Sequence, residues 1–529
     1  MMKCLLISPR FPDLSYWNYR EVCELFGACY PAAPLGLATA AALLPREWDI
    51  RLLDLNVREM DTALLDWADI VMAGGMIPQQ RSLTSLIDLC HDRGKRIAVG
   101  GQDPTSQPDI YATADYLVLD EGEMTIPKFL ADLDAGARQG VYRSAEKPDV
   151  TQSPTPRFDL LELGKYLHVG IQFSRGCPLN CEFCDIIELY GRKSRTKTPE
   201  QVLRELDCLY QLGYRGHVDF VDDNFIGNKK AVMAFLPALL TWSRQRGFPF
   251  FFSTEATINL ADDPALLGML EALDFRYVFV GIETPDKDLL IRTQKKVNTR
   301  HPIVESVRRL NGHGMVVTAG FILGFDGETR NAAEAIAACV EGAGIPMAMV
   351  GLLMALPNTQ LTRRLAREGR LPDGYAFQRP GDVDQSTMGL NFTPTRPRAE
   401  ILGDFASLVS RLYSPKSYFG RVRTIARHLR RRPKQVGSFR GRWTEFAALA
   451  AVTWRLGFGR GTAWEFWRTV LAVLMTRPRN FEAAVHLMAL FLHFRRQTRF
   501  VLDGLDRRIA RHEAEPQEPS CRSMAGARG

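Results

Sequence analysis

The segment Ser174-Arg175-Gly176-Cys177-Pro178-Leu179-Asn180-Cys181-Glu182-Phe183-Cys184 gathers three of the chain's ten cysteines onto one short loop. Three thiolates at this spacing can hold three irons of a [4Fe-4S] cluster and leave the fourth iron open to a small chelating molecule. An open iron points to reaction rather than to storage of electrons. Structural zinc would need a fourth Cys or His close by, and Cys208 and His217 fit no usual zinc spacing.

Such a loop must be carried by a scaffold, and the flanking sequence supplies two of one kind. Cys4 to Ser8, Ile50 to Leu55, Ile70 to Ala73, Ile97 to Val99 and Tyr116 to Leu119 read as buried strands separated by helical patterns. That rhythm predicts a parallel, doubly wound sheet over residues 1–146. Gly74-Gly75 and Gly100-Gly101 fall where strands end, the edge at which backbone can approach a ligand, although tight turns alone would also use them. Residues 147–165 are rich in Pro, Thr, Ser and Asp at their start and read as an exposed linker. Over 166–394 the rhythm returns, with strands expected at Val169 to Ser174, Val218 to Val221, Phe250 to Thr254, Tyr277 to Ile282, Val316 to Leu323 and Met347 to Met354. Six strands, each followed by a helix, predict a partial (β/α)6 barrel with its site at the carboxyl ends of the strands.

Residues 395–512 read as mostly helical, and 513–529 as a disordered tail. Between Arg421 and Arg460 there are 11 Arg or Lys and one acid, Glu445, interleaved with Phe439, Trp443, Phe446 and Trp454. Trp464, Phe466, Trp467, Phe481, Phe491 and Phe494 follow. Mixed cations and rings suit an interfacial membrane contact, and equally a solvated helical face, with RNA binding a weaker third reading. At 529 residues, 46% apolar, 24% charged and a net charge of +7, the chain is a folded protein of several domains rather than a dedicated nucleic-acid binder. The cysteines form no disulfide framework, no signal peptide precedes Met1 to Arg10, and no apolar run reaches 18 residues, so a cytoplasmic protein that does not span a membrane is expected.

With these residues in view the chain resembles the radical S-adenosylmethionine (SAM) enzymes, whose hallmark Cys-x3-Cys-x-aromatic-Cys is matched by Cys177, Cys181, Phe183 and Cys184. The resemblance implies that the three cysteines hold a [4Fe-4S] cluster whose open iron chelates SAM. It further implies SAM contacts from Asp222 and Asp223, from Glu255 and Glu283, and from Gly320, Ile322 and Gly324 along the adenine. Strand-end carboxylates suit a ligand with an ammonium, a sulfonium and a ribose diol, because an ionised acid accepts charge-assisted hydrogen bonds. Singly, Asp222, Asp223 and Glu283 read as well as helix caps or surface acids.

A doubly wound domain ahead of such a barrel is similar to the cobalamin-binding subgroup. Ala33-Pro34-Leu35-Gly36-Leu37, Leu53-Asp54-Leu55-Asn56 and Asp120-Glu121-Gly122-Glu123 look like its recurrent segments. On that basis Leu35, Gly36, Asp54, Gly74, Gly75, Gly100, Gly101 and Glu121 are expected at the cobalamin, with no histidine as lower ligand, since none occurs before His91. Residues 1 to about 415, notably Cys184 to Gly191 and Val218 to Asn228, resemble the branch that includes hopanoid methylases. The implied activity is methyl transfer from SAM, via methylcobalamin, to an unactivated carbon of a hydrophobic small molecule such as a hopanoid or other isoprenoid lipid. A non-methylating oxidation, cyclisation or rearrangement is the alternative. An electron donor such as flavodoxin or ferredoxin is expected with it, and the basic, aromatic C-terminal region and the mild net charge give the expectation of peripheral contact with the inner face of the membrane and of no nucleic acid. Tyr190 and Met354 could position substrate, though packing explains both. RNA modification of the methylthiotransferase type would need a second cysteine triplet, which Cys4, Cys23 and Cys29 do not form, and a non-catalytic scaffold would not need the first triplet.

Overall fold

The computed structural model describes residues 1–372, 389–430 and 439–514, with the side chains of 439–445 and 509–514 left aside. The expected disordered tail, apart from the end of the last helix, and the rings of Phe439 and Trp443 lie outside the described residues. Fifteen strands form among those described: β1 (Lys3–Ser8), β2 (Tyr30–Ala32), β3 (Asp49–Asp54), β4 (Ile70–Gly74), β5 (Arg96–Gly100), β6 (Tyr116–Val118), β7 (Gly140–Tyr142), β8 (Tyr166–Ile171), β9 (Ser174–Arg175), β10 (Arg195–Thr196), β11 (Gly216–Phe220), β12 (Phe250–Glu255), β13 (Phe275–Glu283), β14 (Val316–Leu323) and β15 (Met347–Leu352).

The first sheet runs β3-β1-β4-β5-β6-β7, parallel throughout, with helices on both faces. Its strands read as near-continuous apolar runs because both faces are covered, as Leu5 and Ile7 pack into one layer and Cys4 and Leu6 into the other. The short edge strand β7 was not legible in the sequence, since Gly140-Val141-Tyr142 carries too little pattern to separate it from a loop.

The second sheet runs β15-β14-β13-β12-β11-β8-β2, again parallel, and curls into a partial barrel. All six expected barrel strands are present. A seventh is added at the open edge by β2, which comes from the N-terminal region, Tyr30 pairing with Tyr166 and Ala32 with His168. Pro31 fits there because an edge strand leaves one row of N–H groups unused. Along β11 and β12 the outward residues Val218, Phe220, Phe250 and Phe252 are buried under helices, while His217, Asp219, Phe251 and Ser253 alternate with them on the other face. Phe220 anchors the helix layer, its ring within 5.1 to 6.0 Å of Phe225, Phe252, Phe275 and Phe235. Local signals start the covering helices: Thr198 and Gln201 form a reciprocal capping box, with Pro199 in the first turn, at the head of helix Pro199–Gln211.

The segment expected as an exposed linker is docked. Val150, Ser153 and Phe158 are buried, and the Gln201 side chain donates to the carbonyls of Val150 and Ser153. Its composition signalled turns correctly, but a turn-rich segment can still be held by side chains that satisfy its backbone.

The C-terminal helices Arg398–Leu412, Pro415–His428, Phe439–Val452, Ala463–Thr476 and Phe481–Ala514 share one apolar core with the barrel. Tyr413 donates to Ala348 O on β15 at 2.7 Å, and Tyr418 to Leu487 O at 2.7 Å. This corrects part of the basic-aromatic reading. Arg421 is 1% exposed, Arg423 is paired with Glu465 at 2.7 Å, and Phe466, Phe491 and Phe494 are buried. Charge patterning cannot tell a cation facing water from one threaded into a core. Among the described residues no helix is long and apolar enough to cross a membrane.

Candidate functional site

The cluster loop leaves β8 through Ser174 and returns through Arg195, the two ends zipped as the antiparallel pair β9 and β10. Gly176 makes the entry turn at φ +89°, where a Cβ would lie 2.7 to 3.0 Å from the carbonyls of Lys193, Gly191 and Tyr190, so only glycine fits. Cys177, Cys181 and Cys184 are free thiols, Cys181 buried and the others half-buried, and burial pushes all three above their ordinary values. Among the described residues no three such side chains close on a single ion. Three thiolates on one loop, with no histidine among them, are a donor set that would suit a [4Fe-4S] cluster, each thiolate holding a separate iron.

Asp222 and Asp223 hold the loop from beneath. Asp222 is 1% exposed and accepts hydrogen bonds from Phe173 N at 3.1 Å and from Ser174 N and Oγ, while Asp223 accepts from Gly176 N at 2.8 Å. Both carboxylates are thus turned toward the backbone of the cluster turn. Burial raises Asp222 to about 7 and Asp223 to about 6, against the hydrogen bonds they accept. A raised acid contributes stability below its unfolded value near 4 and loses it as pH rises through about 7. Asp222→Asn removes that titration and replaces one accepting oxygen by an NH2 group, which leaves a donor of Phe173 or Ser174 without its acceptor. The expected result is a lower melting temperature at pH 5 and a shallower fall between pH 5 and 8 than in wild type, read by thermal unfolding.

At the end of β13, Glu283 adopts φ +66° and pairs with the ammonium of Lys295. Both are buried, and a Cβ on Gly281 would meet the Glu283 carboxylate at 2.4 Å and Lys295 Nζ at 2.6 Å. Gly281 is therefore required by the ion pair that crosses it. Burial opposes the Lys295 charge, but Glu283, Cys181 and Cys184 together raise its pKa. Lys295 was missed in the sequence, because it lies in a polar run after Glu283 that gives no sign of folding back over the strand. Glu255 ends β12 with its side chain exposed at the strand edge, and crowding by the surrounding protein and by the neighbouring Asp219, Asp223 and Asp222 raises its pKa.

A cavity of about 350 Å³ lies between the two sheets' carboxyl edges. Phe183, Glu283, Gly320 and Ile322 line it from the barrel, as does Met354. Gly324 does not reach it and spends its N–H on Glu328 at 2.9 Å. From the first domain come Met76 to Pro78 and Gln102, Asp103 and Ser106, the residues that follow the two glycine pairs. The glycines pack against each other: a Cβ on Gly101 would meet Gly75 N at 2.8 Å, and one on Gly74 would meet Gly100 O at 3.3 Å. They let the two loops approach, and the residues after them face the cavity. Tyr190 takes a hydrogen bond from Gln102 at 3.1 Å and so packs between the domains.

Four other expected cofactor contacts, Leu35, Gly36, Asp54 and Glu121, do not line this cavity. Leu35 and Gly36 open helix Leu35–Ala42, where Leu35 packs toward Gly170 of the barrel. Asp54 is buried beneath Asn56 and the Tyr166 hydroxyl, the latter at 2.8 Å. Glu121 receives both ends of the cluster loop, from Arg175 at 2.6 Å and from Arg195 at 2.9 Å, with its side chain 2% exposed. Glu123 adds a contact to Arg175 at 3.1 Å and accepts from Ser153 Oγ at 2.6 Å. Two arginines facing each other across β9 and β10 would repel unless an anion lay between them, and Glu121 is that anion.

Comparison with known proteins agrees with this geometry. Residues 171–340 match the model of the radical SAM superfamily, and 359–507 match a family described as a domain of unknown function. The chain is 45% identical to an uncharacterized methyltransferase of Synechocystis sp., over 93% of this chain and 91% of that one. It is 36% identical to the hopanoid C-2 methylase of Rhodopseudomonas palustris, over 84% of each. Among solved structures, the radical S-adenosylmethionine methyltransferase TsrM from Kitasatospora setae, with cobalamin and a [4Fe-4S] cluster bound, superposes with a TM-score of 0.60 at 16% identity, covering 90% of this chain and 100% of that one.

Proposed function

The chain belongs to the radical SAM methyltransferases, and from that premise we propose that it methylates an unactivated carbon of a hydrophobic small molecule, a hopanoid or other isoprenoid lipid, by way of cobalamin. The observation that carries the reading is the single cavity whose walls are the cluster loop, the barrel strand ends and the first domain's two loops. When bound, the cluster and SAM supply radical chemistry at the barrel face, and cobalamin supplies a methyl carrier at the opposite face.

The chain's own residues do the rest. Cys177, Cys181 and Cys184 hold the cluster. Phe183, the Glu283–Lys295 pair, Glu255, Gly320 and Ile322 frame the SAM side, where Gly320 gives a flat wall that a side chain would push against Phe279, 3.2 Å from its Cβ position. Met76 to Pro78 and Gln102 to Ser106 face the corrin. Phe279, Met349, Leu353 and Met354 add an apolar lining that would limit water around a reactive carbon and hold reactants at short range. Reduction by a flavodoxin or ferredoxin, a cytoplasmic location and peripheral contact with the membrane's inner face belong to the same reading.

The test is anaerobic purification with reconstitution, reading iron, sulfide and corrin absorption on one sample. About four irons and one corrin per chain are expected, followed by transfer of a deuterium-labelled methyl from SAM into an extracted lipid. Iron without corrin would overturn the cobalamin route.

A further inference from the structure

Helix Ala463–Thr476 is covered on one side only. Glu465, Phe466, Thr469 and Val473 face the protein. On the other side Trp464, Trp467, Leu471, Leu474 and Met475 are 45% to 76% exposed. Their spacing puts them on one continuous stripe of the helix. Soluble proteins seldom leave so many large apolar side chains together without a partner surface.

The stripe is extended by a fixed aromatic array. Trp467 donates to Gly457 O at 2.9 Å, and its ring lies 6.4 Å from Phe458, which lies 5.7 Å from Trp454. Trp454 and Phe458, themselves 73% and 67% exposed, form one wall of a concavity of about 570 Å³. Arg455, Arg495, Arg496 and Arg499 form the other, and the one acid there, Glu21, is paired with Arg496. Between residues 446 and 481 the only acid is the buried Glu465, while Arg460, Arg477 and Arg479 stand exposed around the stripe.

We propose that this face docks on an anionic bilayer, the stripe lying at the boundary of headgroups and acyl chains and Arg455, Arg495 and Arg499 receiving the phosphate of an anionic phospholipid. The inference rests on the peripheral contact proposed above and assigns it to one face. Charge decides the occupant: a second copy related by a two-fold axis would bring its own arginines against these, whereas anionic lipid neutralises them. Tryptophan rings beside cations are the side chains that headgroup depth favours.

The experiment is flotation of the full reconstituted chain with vesicles of phosphatidylcholine alone or mixed with phosphatidylglycerol. Wild type is expected to float with the mixed vesicles only. Trp464→Gln with Leu471→Gln, and separately Arg495→Glu with Arg499→Glu, should each lower partitioning about tenfold or more, with SAM cleavage in detergent-free solution unchanged. If wild type floats and both variants float equally well, this face is wrong while the peripheral contact stands. If wild type does not float, both fail. Loss of a dimer in light scattering on substituting the stripe, with no vesicle binding, would give the face to a second copy and overturn the proposal.

Discussion

Cys177→Ala, Cys181→Ala and Cys184→Ala should each abolish reductive cleavage of SAM, falling to the level of protein without cluster, while corrin binding persists. Each thiolate would hold a different iron, so no remaining cysteine could substitute. The loop itself should survive the change, because its shape is set by other residues: Gly176 at the turn, Asp223 on the Gly176 amide, Arg364 on Glu182, and the β9 and β10 pairing. The first domain's loops contact the cavity from a separate sheet, which is why the corrin signal should not follow the iron signal down. Iron content, deoxyadenosine release and corrin absorbance on the same preparations check this, and retained cleavage in any one variant would overturn the cluster assignment.

Removing the carboxylate at Glu121 should have the second largest effect. Glu121→Ala leaves Arg175 and Arg195 opposite each other, each side chain 12% exposed, with Glu123 still paired to Arg175 but no carboxylate bridging the two. Breaking a buried ion cluster from one side costs about 3 to 5 kcal/mol, so a marked drop in melting temperature is expected. Glu121→Gln keeps the shape and part of the hydrogen bonding, and it isolates the second consequence. Glu121 belongs to the first domain and grips both ends of the loop that carries the cluster cysteines, so it sets the distance between the two faces of the cavity. With that grip loosened, SAM cleavage should continue while methylated product per deoxyadenosine falls about tenfold or more, since misplacing reacting groups by roughly an ångström costs up to about a hundredfold. An unchanged product ratio in Glu121→Gln would show that the clamp only supports folding.

The cysteine triplet and Glu121 represent different levels of information in the chain. The triplet of cysteines, the six barrel strands and the parallel first sheet were legible from the sequence, because each depends on local pattern: ligand spacing on one loop, apolar runs ending in glycine, helices between them. Loop placement was legible as well, since glycine pairs after β4 and β5 mark a strand edge where backbones meet.

What the sequence left open was where the charged side chains go, and only the tertiary structure decided it. Glu121 and Asp54 sit in segments that look like cofactor contacts, yet each is used by partners from beyond its own sheet: Arg175 and Arg195 for Glu121, Tyr166 for Asp54. Lys295 becomes part of the site because Gly281 lets it fold over β13 to reach Glu283. Arg421 is buried in the core, Arg423 is held by Glu465, and β2 leaves its own domain to extend the barrel. The physical reason is common to all of these. Backbone pattern and ligand spacing are short-range properties of the chain, whereas the partner of a long charged side chain is fixed only when segments far apart in sequence are packed within a few ångströms of each other.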